Sequence, residues 1–199
     1  MRAIFGALVI AAAAMPAVAQ EIVSEYTDLV PDRHCSTFAM ADDGEGDWAS
    51  MVCAGYRGYP VIIHYGDLRE SIFYGFPPDG DLAPAWESFG GFNSTGDRVE
   101  WRIERDGGRE TPFATIHRWF VEDGAADGSK VEVLVVEKVG QIQGREGCAI
   151  AYVVASGNAD ANAKARRIAD TQARDFACGD QPVIDAGSVP VPEFTRSEN

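Results

Sequence analysis

Lysine is scarce in this chain, with three residues against fourteen arginines. The 17 basic side chains face 31 acidic ones over 199 residues, a formal charge of −14. That shortage of cations excludes a surface built to hold a nucleic-acid backbone, and equally one built for an anionic membrane. Long apolar runs are lacking too. Past residue 19 no stretch approaches the roughly 20 residues that a membrane helix needs. There is no CxxC, no G-x-S-x-G elbow, no P-loop and no G-x-G-x-x-G ahead of a helix, so several common enzyme classes have no motif to stand on. The three histidines, His34, His64 and His117, show no metal-ligand spacing, and neither a metal nor another cofactor is expected. With 46% hydrophobic and 24% charged residues, the composition excludes a disordered chain, a coiled coil and a collagen-like fibre. One compact domain is the expectation at this length.

Arg2 is the only charge before Glu21, and Ile4 to Ala14 is an unbroken apolar and small-residue run. Ala17-Val18-Ala19 supplies the small-x-small pattern of a signal peptidase site, so residues 1–19 are expected to be a cleavable leader and Gln20 the mature N-terminus. The run is too short for a retained anchor. Loss of Arg2 leaves a mature chain of 180 residues with a charge of −15. The expected localisation is periplasmic or secreted, with no membrane span in the mature chain.

Four cysteines then meet an oxidising compartment, and two disulfides are the default. Chain geometry favours Cys35 with Cys53, on the two arms of a hairpin, and Cys148 with Cys178. Cys148 opens a strand of roughly 23 Å at about 3.3 Å per residue. A helix from Ala159 to about Phe176 would rise roughly 27 Å at about 1.5 Å per residue, returning Cys178 to the level of Cys148.

The fold class expected is α+β: an antiparallel β-sheet with a C-terminal α-helix packed on one face and two disulfides. Residues 20–179 form the single domain, opened by a polar lead-in to Arg33, and residues 180–199 an extended or disordered tail. Strands are expected at Cys35 to Met40, Trp48 to Cys53, Pro60 to Tyr65 and Leu68 to Tyr74, with Gly66-Asp67 turning the last pair. Phe76 to Gly96, rich in Gly and Pro, reads as a long ordered loop. The clearest pattern is the alternation of Val99, Trp101 and Ile103 with Arg98, Glu100, Arg102 and Glu104, a half-buried strand. After Asp106-Gly107-Gly108 the chain returns through Phe113 to Phe120, and matching apolar faces places Trp101 opposite Ala114 and Val99 opposite Ile116. Arg98 then falls near His117 and Glu100 near Thr115. Val131 to Val139 and Cys148 to Val154 are apolar on both parities, as strands buried on both faces are. The helix, with Asn158 as N-cap, offers Ala161, Ala165, Ile168, Gln172 and Phe176 on one face, with Asp160–Lys164 and Arg166–Asp170 as i, i+4 pairs.

Candidate chemistry is sparse. Asp42 to Asp47 lacks the ligand spacing of a calcium loop and reads as a solvated hairpin tip. Asn93-Ser94-Thr95 matches the glycosylation pattern but is discounted beside an Ala-rich bacterial leader. The one local cluster with binding chemistry is His117 with Trp119, faced by Arg98 and Glu100 across the hairpin, and these four are the candidate binding residues. No catalytic residue is assigned.

Gly58-Tyr59-Pro60-Val61, Gly66-Asp67-Leu68-Arg69, Ile116-His117-Arg118-Trp119-Phe120 and Asn158-Ala159-Asp160-Ala161-Asn162 together resemble a group of exported alphaproteobacterial proteins with no assigned reaction. The resemblance covers most of the mature chain and implies a bacterial periplasmic setting; it carries over no catalytic residue. The expectation for function is a non-catalytic binding protein, with a cationic periplasmic or extracellular protein as partner, in the manner of periplasmic lysozyme inhibitors. Its acidic surface would steer such a partner. The alternative is a hydrolase-like periplasmic enzyme using His64 or His117 as general base under the 76–96 loop.

Overall fold

The turn Asp106 to Arg109 shows how local sequence builds the largest element. Gly107 and Gly108 adopt φ of +54° and +84°, the left-handed pair that closes a two-residue hairpin in the twist sense of its strands. The strands it joins are fourteen residues each. The computed structural model describes residues 21–124 and 128–198, so the leader expected at 1–19 lies outside the described residues. In chain order the elements are β1 (Glu21–Asp28), α1 (Pro31–His34), β2 (Cys35–Met40), β3 (Trp48–Ala54), β4 (Pro60–Gly66), β5 (Arg69–Tyr74), β6 (Ala85–Phe89), β7 (Asn93–Asp106), β8 (Arg109–Glu122), β9 (Lys130–Lys138), β10 (Cys148–Val154), α2 (Ala161–Gln172), β11 (Val183–Asp185) and β12 (Phe194–Glu198).

The class is α+β, with mostly antiparallel strands, a helix near the C-terminal end and two disulfides. Three sheets take the place of the single one expected: β1-β7-β8-β9-β10-β11, β2-β3-β4-β5, and the ribbon β12-β6. One pair, β10 with β11, is parallel, joined by α2 as the crossover. Three segments without a periodic signal are strands. The lead-in contains β1, which lies along β7 from Glu21↔Arg105 to Asp28↔Arg98. The 76–96 loop contains β6 and the start of β7, and the tail contains β11 and β12. The β4–β5 turn is Asp67-Leu68, one residue later than expected, with both φ left-handed.

Two apolar clusters flank the six-stranded sheet. One joins its inner face, with Val99, Trp101 and Val133, to Val61, Ile63 and Ile72 of the four-stranded sheet. The other gathers Ile116, Leu134, Val136 and Ile150 with Ala161, Ala165, Ala169 and Ala173. This four-residue alanine repeat forms the buried stripe, with Ile168 and Phe176 of the expected face partly buried against the same cluster and Gln172 exposed. Alanine lets a helix backbone approach a sheet closely and loses no rotamer freedom. The helix is shorter than expected, and Asp160, not Asn158, stands at its N-cap. Its charges reach other elements in place of i, i+4 neighbours: Lys164 pairs with Asp185, Arg166 with Glu100 and Asp170 with Arg102.

The β7–β8 register departs from the expected one by a single residue, and the cause is visible. From the turn to Ile103↔Pro112 the pairing runs as expected, after which Phe113 is bulged out and Arg102 pairs with Ala114. Pro112 has no N–H to give a ladder, which suits the edge of a bulge. Beyond it Trp101 faces Thr115, Glu100 faces Ile116 and Val99 faces His117. Every β8 side chain past the bulge is thereby exchanged between faces, and His117 and Trp119 turn inward. Both expected disulfides are present: Cys35 and Cys53 sit directly opposite on β2 and β3, and Cys148 is joined to Cys178 with Cα atoms 5.8 Å apart.

Candidate functional site

The four candidate binding residues are not brought together. His117 is fully buried between the two larger sheets. Its Nε2 lies 2.6 Å from the Gly96 carbonyl and its Nδ1 2.7 Å from the Tyr74 hydroxyl. A carbonyl only accepts, so Nε2 carries the proton and Nδ1 accepts from Tyr74. Burial lowers the His117 pKa to about 4, which keeps the ring neutral. Trp119 is buried beside Phe89, and its indole N–H has no hydrogen-bond partner among the described residues. Glu100 lies on the opposite face of the six-stranded sheet, where it accepts from Arg166 at 2.6 and 3.1 Å and from Ser24. Arg98 is exposed, 3.5 Å from Asp28. Two of the four are thus core residues, one is buried on the other face and one is exposed, and they do not form one site.

Asn93 is buried, its amide bonded to Gly91 and Ser88 and its carbonyl accepting from Glu70 N. The 42–47 turn is an exposed tip, with Asp47 accepting from Tyr65. Among the described residues no cluster of three or more His, Cys, Asp or Glu is arranged to hold a metal ion.

A cavity of about 550 Å³ lies elsewhere, between β10–β11 and the β6–β12 ribbon. Tyr152, Ile184, Val191 and Phe194 give it apolar walls, and Glu87 and Arg196 a polar floor. Phe194 packs on Tyr152 and on Phe89, with ring centroids 4.3 and 5.0 Å apart. One oxygen of Glu87 meets Arg196 Nη1 at 2.5 Å and the other accepts from Ala149 N at 3.1 Å. Glu137, on β9 opposite Ala149, is 4% exposed. Its carboxyl is held well above the usual range, first by burial and then by the charge of Glu87, with Arg196 acting in the opposite sense. Asp180 and Glu193 add further carboxylates to the lining. Sequence reasoning missed this site because Glu87 stands in a segment read as loop and Arg196 in one read as tail.

A second arrangement lies on the outer face of the four-stranded sheet. Ser50 Oγ is 2.9 Å from His64 Nδ1, and His64 Nε2 is 2.9 Å from the Leu82 carbonyl. The carbonyl again fixes the proton on Nε2, so Ser50 is the donor to Nδ1. The edge of Phe38 meets the imidazole at 6.4 Å. Strand register puts Ser71 on the far side of His64 and Trp48, Gly66 and Arg69 in the next row of the same face. Leu82 belongs to the segment expected to cover a histidine base. His64 has no carboxylate among its hydrogen-bond partners, and neither His64 nor His117 lines the 550 Å³ cavity.

The architecture therefore defines an α+β protein, mostly antiparallel and cross-linked twice, and the two bridges point to an oxidising extracellular or periplasmic environment. Among the described residues no helix is long and apolar enough to cross a membrane. The chain matches no protein family, no curated protein and no solved structure with significance.

Proposed function

We propose that this is a non-catalytic binding protein of the bacterial periplasm or extracellular space, exported by the leader at 1–19, whose partner is a cationic protein. The observation that carries the reading is the 550 Å³ cleft, in which three carboxylates, Glu87, Asp180 and Glu193, face one guanidinium, Arg196, between aromatic and aliphatic walls. Apolar walls give burial and the carboxylate excess gives sign selectivity. The net charge of −15 on the mature chain adds long-range steering. The scaffold suits a preformed site: α2, as a layer over one face of the six-stranded sheet, would stiffen the β10 wall through its buried alanines. The test is capture of basic proteins from an envelope extract at low and physiological salt, repeated with an Asp180→Asn/Glu193→Gln variant. Retention of a basic protein that weakens at least tenfold in the variant is expected. Equal retention by the variant, or retention of neutral proteins alone, would remove the reading.

A second reading, a hydrolase with His64 as general base, has one specific observation in its favour: the Ser50–His64–Leu82 carbonyl chain, a hydroxyl, a base and an orienting acceptor in hydrogen-bond reach. On this reading Ser50→Ala and His64→Gln each lower the hydrolysis of an activated aryl ester by a hundredfold or more. Turnover that survives Ser50→Ala, or that is absent in the parent protein, decides against it.

A further inference from the structure

Strand β12 belongs to neither large sheet. It pairs with β6 alone, from Phe194↔Phe89 through Thr195↔Ser88 and Arg196↔Glu87 to Glu198↔Ala85. A two-stranded ribbon of this length has little stability of its own, so what seats β12 is its side chains. Strand alternation sends Phe194 and Arg196 to the cleft side and leaves Thr195 and Ser197 exposed. Phe194 fills the space between Phe89 and Tyr152, and Arg196 meets Glu87 while its side chain stays 29% exposed on the cleft wall. An aromatic anchor and a guanidinium two residues apart, laid along a strand edge, is the pattern by which extended peptides add to sheets: main-chain bonds give affinity and alternate side chains give specificity. Beneath them lies the buried carboxylate of Glu87, which Arg196 meets at 2.5 Å, so a strand that replaced β12 would need a positive charge at the same place to keep that contact.

We propose that the seat of β12 is a docking groove for an extended segment of a cationic protein, one that carries an aromatic residue and an arginine two positions later, and that β12 is its built-in stand-in, displaced when the partner strand pairs with β6. This rests on the reading of a cationic partner and names the chemistry that partner must present. The intramolecular strand sets a threshold: a partner binds only to the fraction of molecules in which β12 has left, and loosening β12 raises apparent affinity in proportion.

The probe is a fluorescent, N-acetylated peptide with the sequence of residues 193–198, followed by anisotropy against the full oxidised chain. Arg196→Gln and Phe194→Ala each remove one of the two seating side chains and should bind the peptide at least tenfold tighter than the parent. Adding Glu87→Gln to either should cancel the gain, as should replacing the peptide's arginine with glutamine. A Ser88→Cys/Thr195→Cys variant, oxidised so that β12 is fastened to β6 at an opposed pair, must lose binding that the Thr195→Cys single variant keeps. Circular dichroism establishes that each variant is folded. If neither loosened variant gains, or if Glu87→Gln leaves the gain intact, the groove is refuted. A basic protein that binds parent, Glu87→Gln and fastened variants alike refutes the groove while leaving the cationic-partner reading in place; absence of both peptide and basic-protein binding overturns the two together.

Discussion

Replacing Arg102 with methionine is expected to destabilise the folded protein by about 3 to 5 kcal/mol, the cost of removing one partner from a buried charge network. Arg102 stands on β7 and is 7% exposed. Its Nε and Nη2 each lie 2.8 Å from an oxygen of Asp170 on α2, a two-pronged contact, while Nη1 reaches Ser24 on β1. Glu100 keeps Arg166 in the variant, so its charge stays compensated. Asp170 loses both of its guanidinium bonds. A methionine of similar length fills the space, which makes the loss one of charge compensation more than of packing. Urea unfolding of the oxidised protein at neutral pH reads the change, and a loss below about 1 kcal/mol would mean that Asp170 turns out to solvent as surface pairs do. Coupling Arg102→Met to Asp170→Leu should recover a substantial part of the loss, because the apolar pair leaves no stranded carboxylate.

Acid should weaken the fold through His117 by about 3 kcal/mol between pH 6.5 and 4. In the unfolded chain the ring takes up a proton near its ordinary pKa of 6.5, whereas in the folded protein burial defers protonation to about 4. Across that window the unfolded state binds more protons, so stability rises with pH, is complete above 6.5, and has lost this contribution below 4. Glu70 and Glu137, whose carboxyls are pushed up by burial, act with the opposite sign. The comparison is therefore His117→Gln against parent, since an amide can still accept from Tyr74 and donate to Gly96. The stability of parent relative to variant should fall by about 3 kcal/mol from neutral pH to pH 4. A difference that does not move with pH would show that His117 takes up its proton at the same pH in the folded and unfolded states, and that burial does not hold the ring neutral.

Patterns that arise from burial were legible in the sequence. Alternation located β7, two-sided apolarity located β9 and β10, and the return length of strand and helix paired Cys148 with Cys178. What escaped was whatever depends on a partner far away in the chain. Strand β1 has no periodic face because its residues are mostly half-exposed at a sheet edge, held by bonds such as Trp101 Nε1 to Thr27 and Arg105 to Glu25. Strands β6 and β12 are visible only as each other's neighbours, and the cleft that they help to line was invisible for that reason. The candidate binding cluster dissolved for a smaller cause: one bulged residue, Phe113, reassigned His117 and Trp119 to the interior.

Both covalent links are short in sequence, 18 and 30 residues, and each closes a local unit, the β2–β3 hairpin and the β10–α2 turnback. The pairing that completes the large sheet is the reverse case, since Glu21 must find Arg105 across most of the intervening chain. The bridges thus span local contacts, whereas the long-range pairings, β1 with β7 and β12 with β6, have no disulfide to guide them.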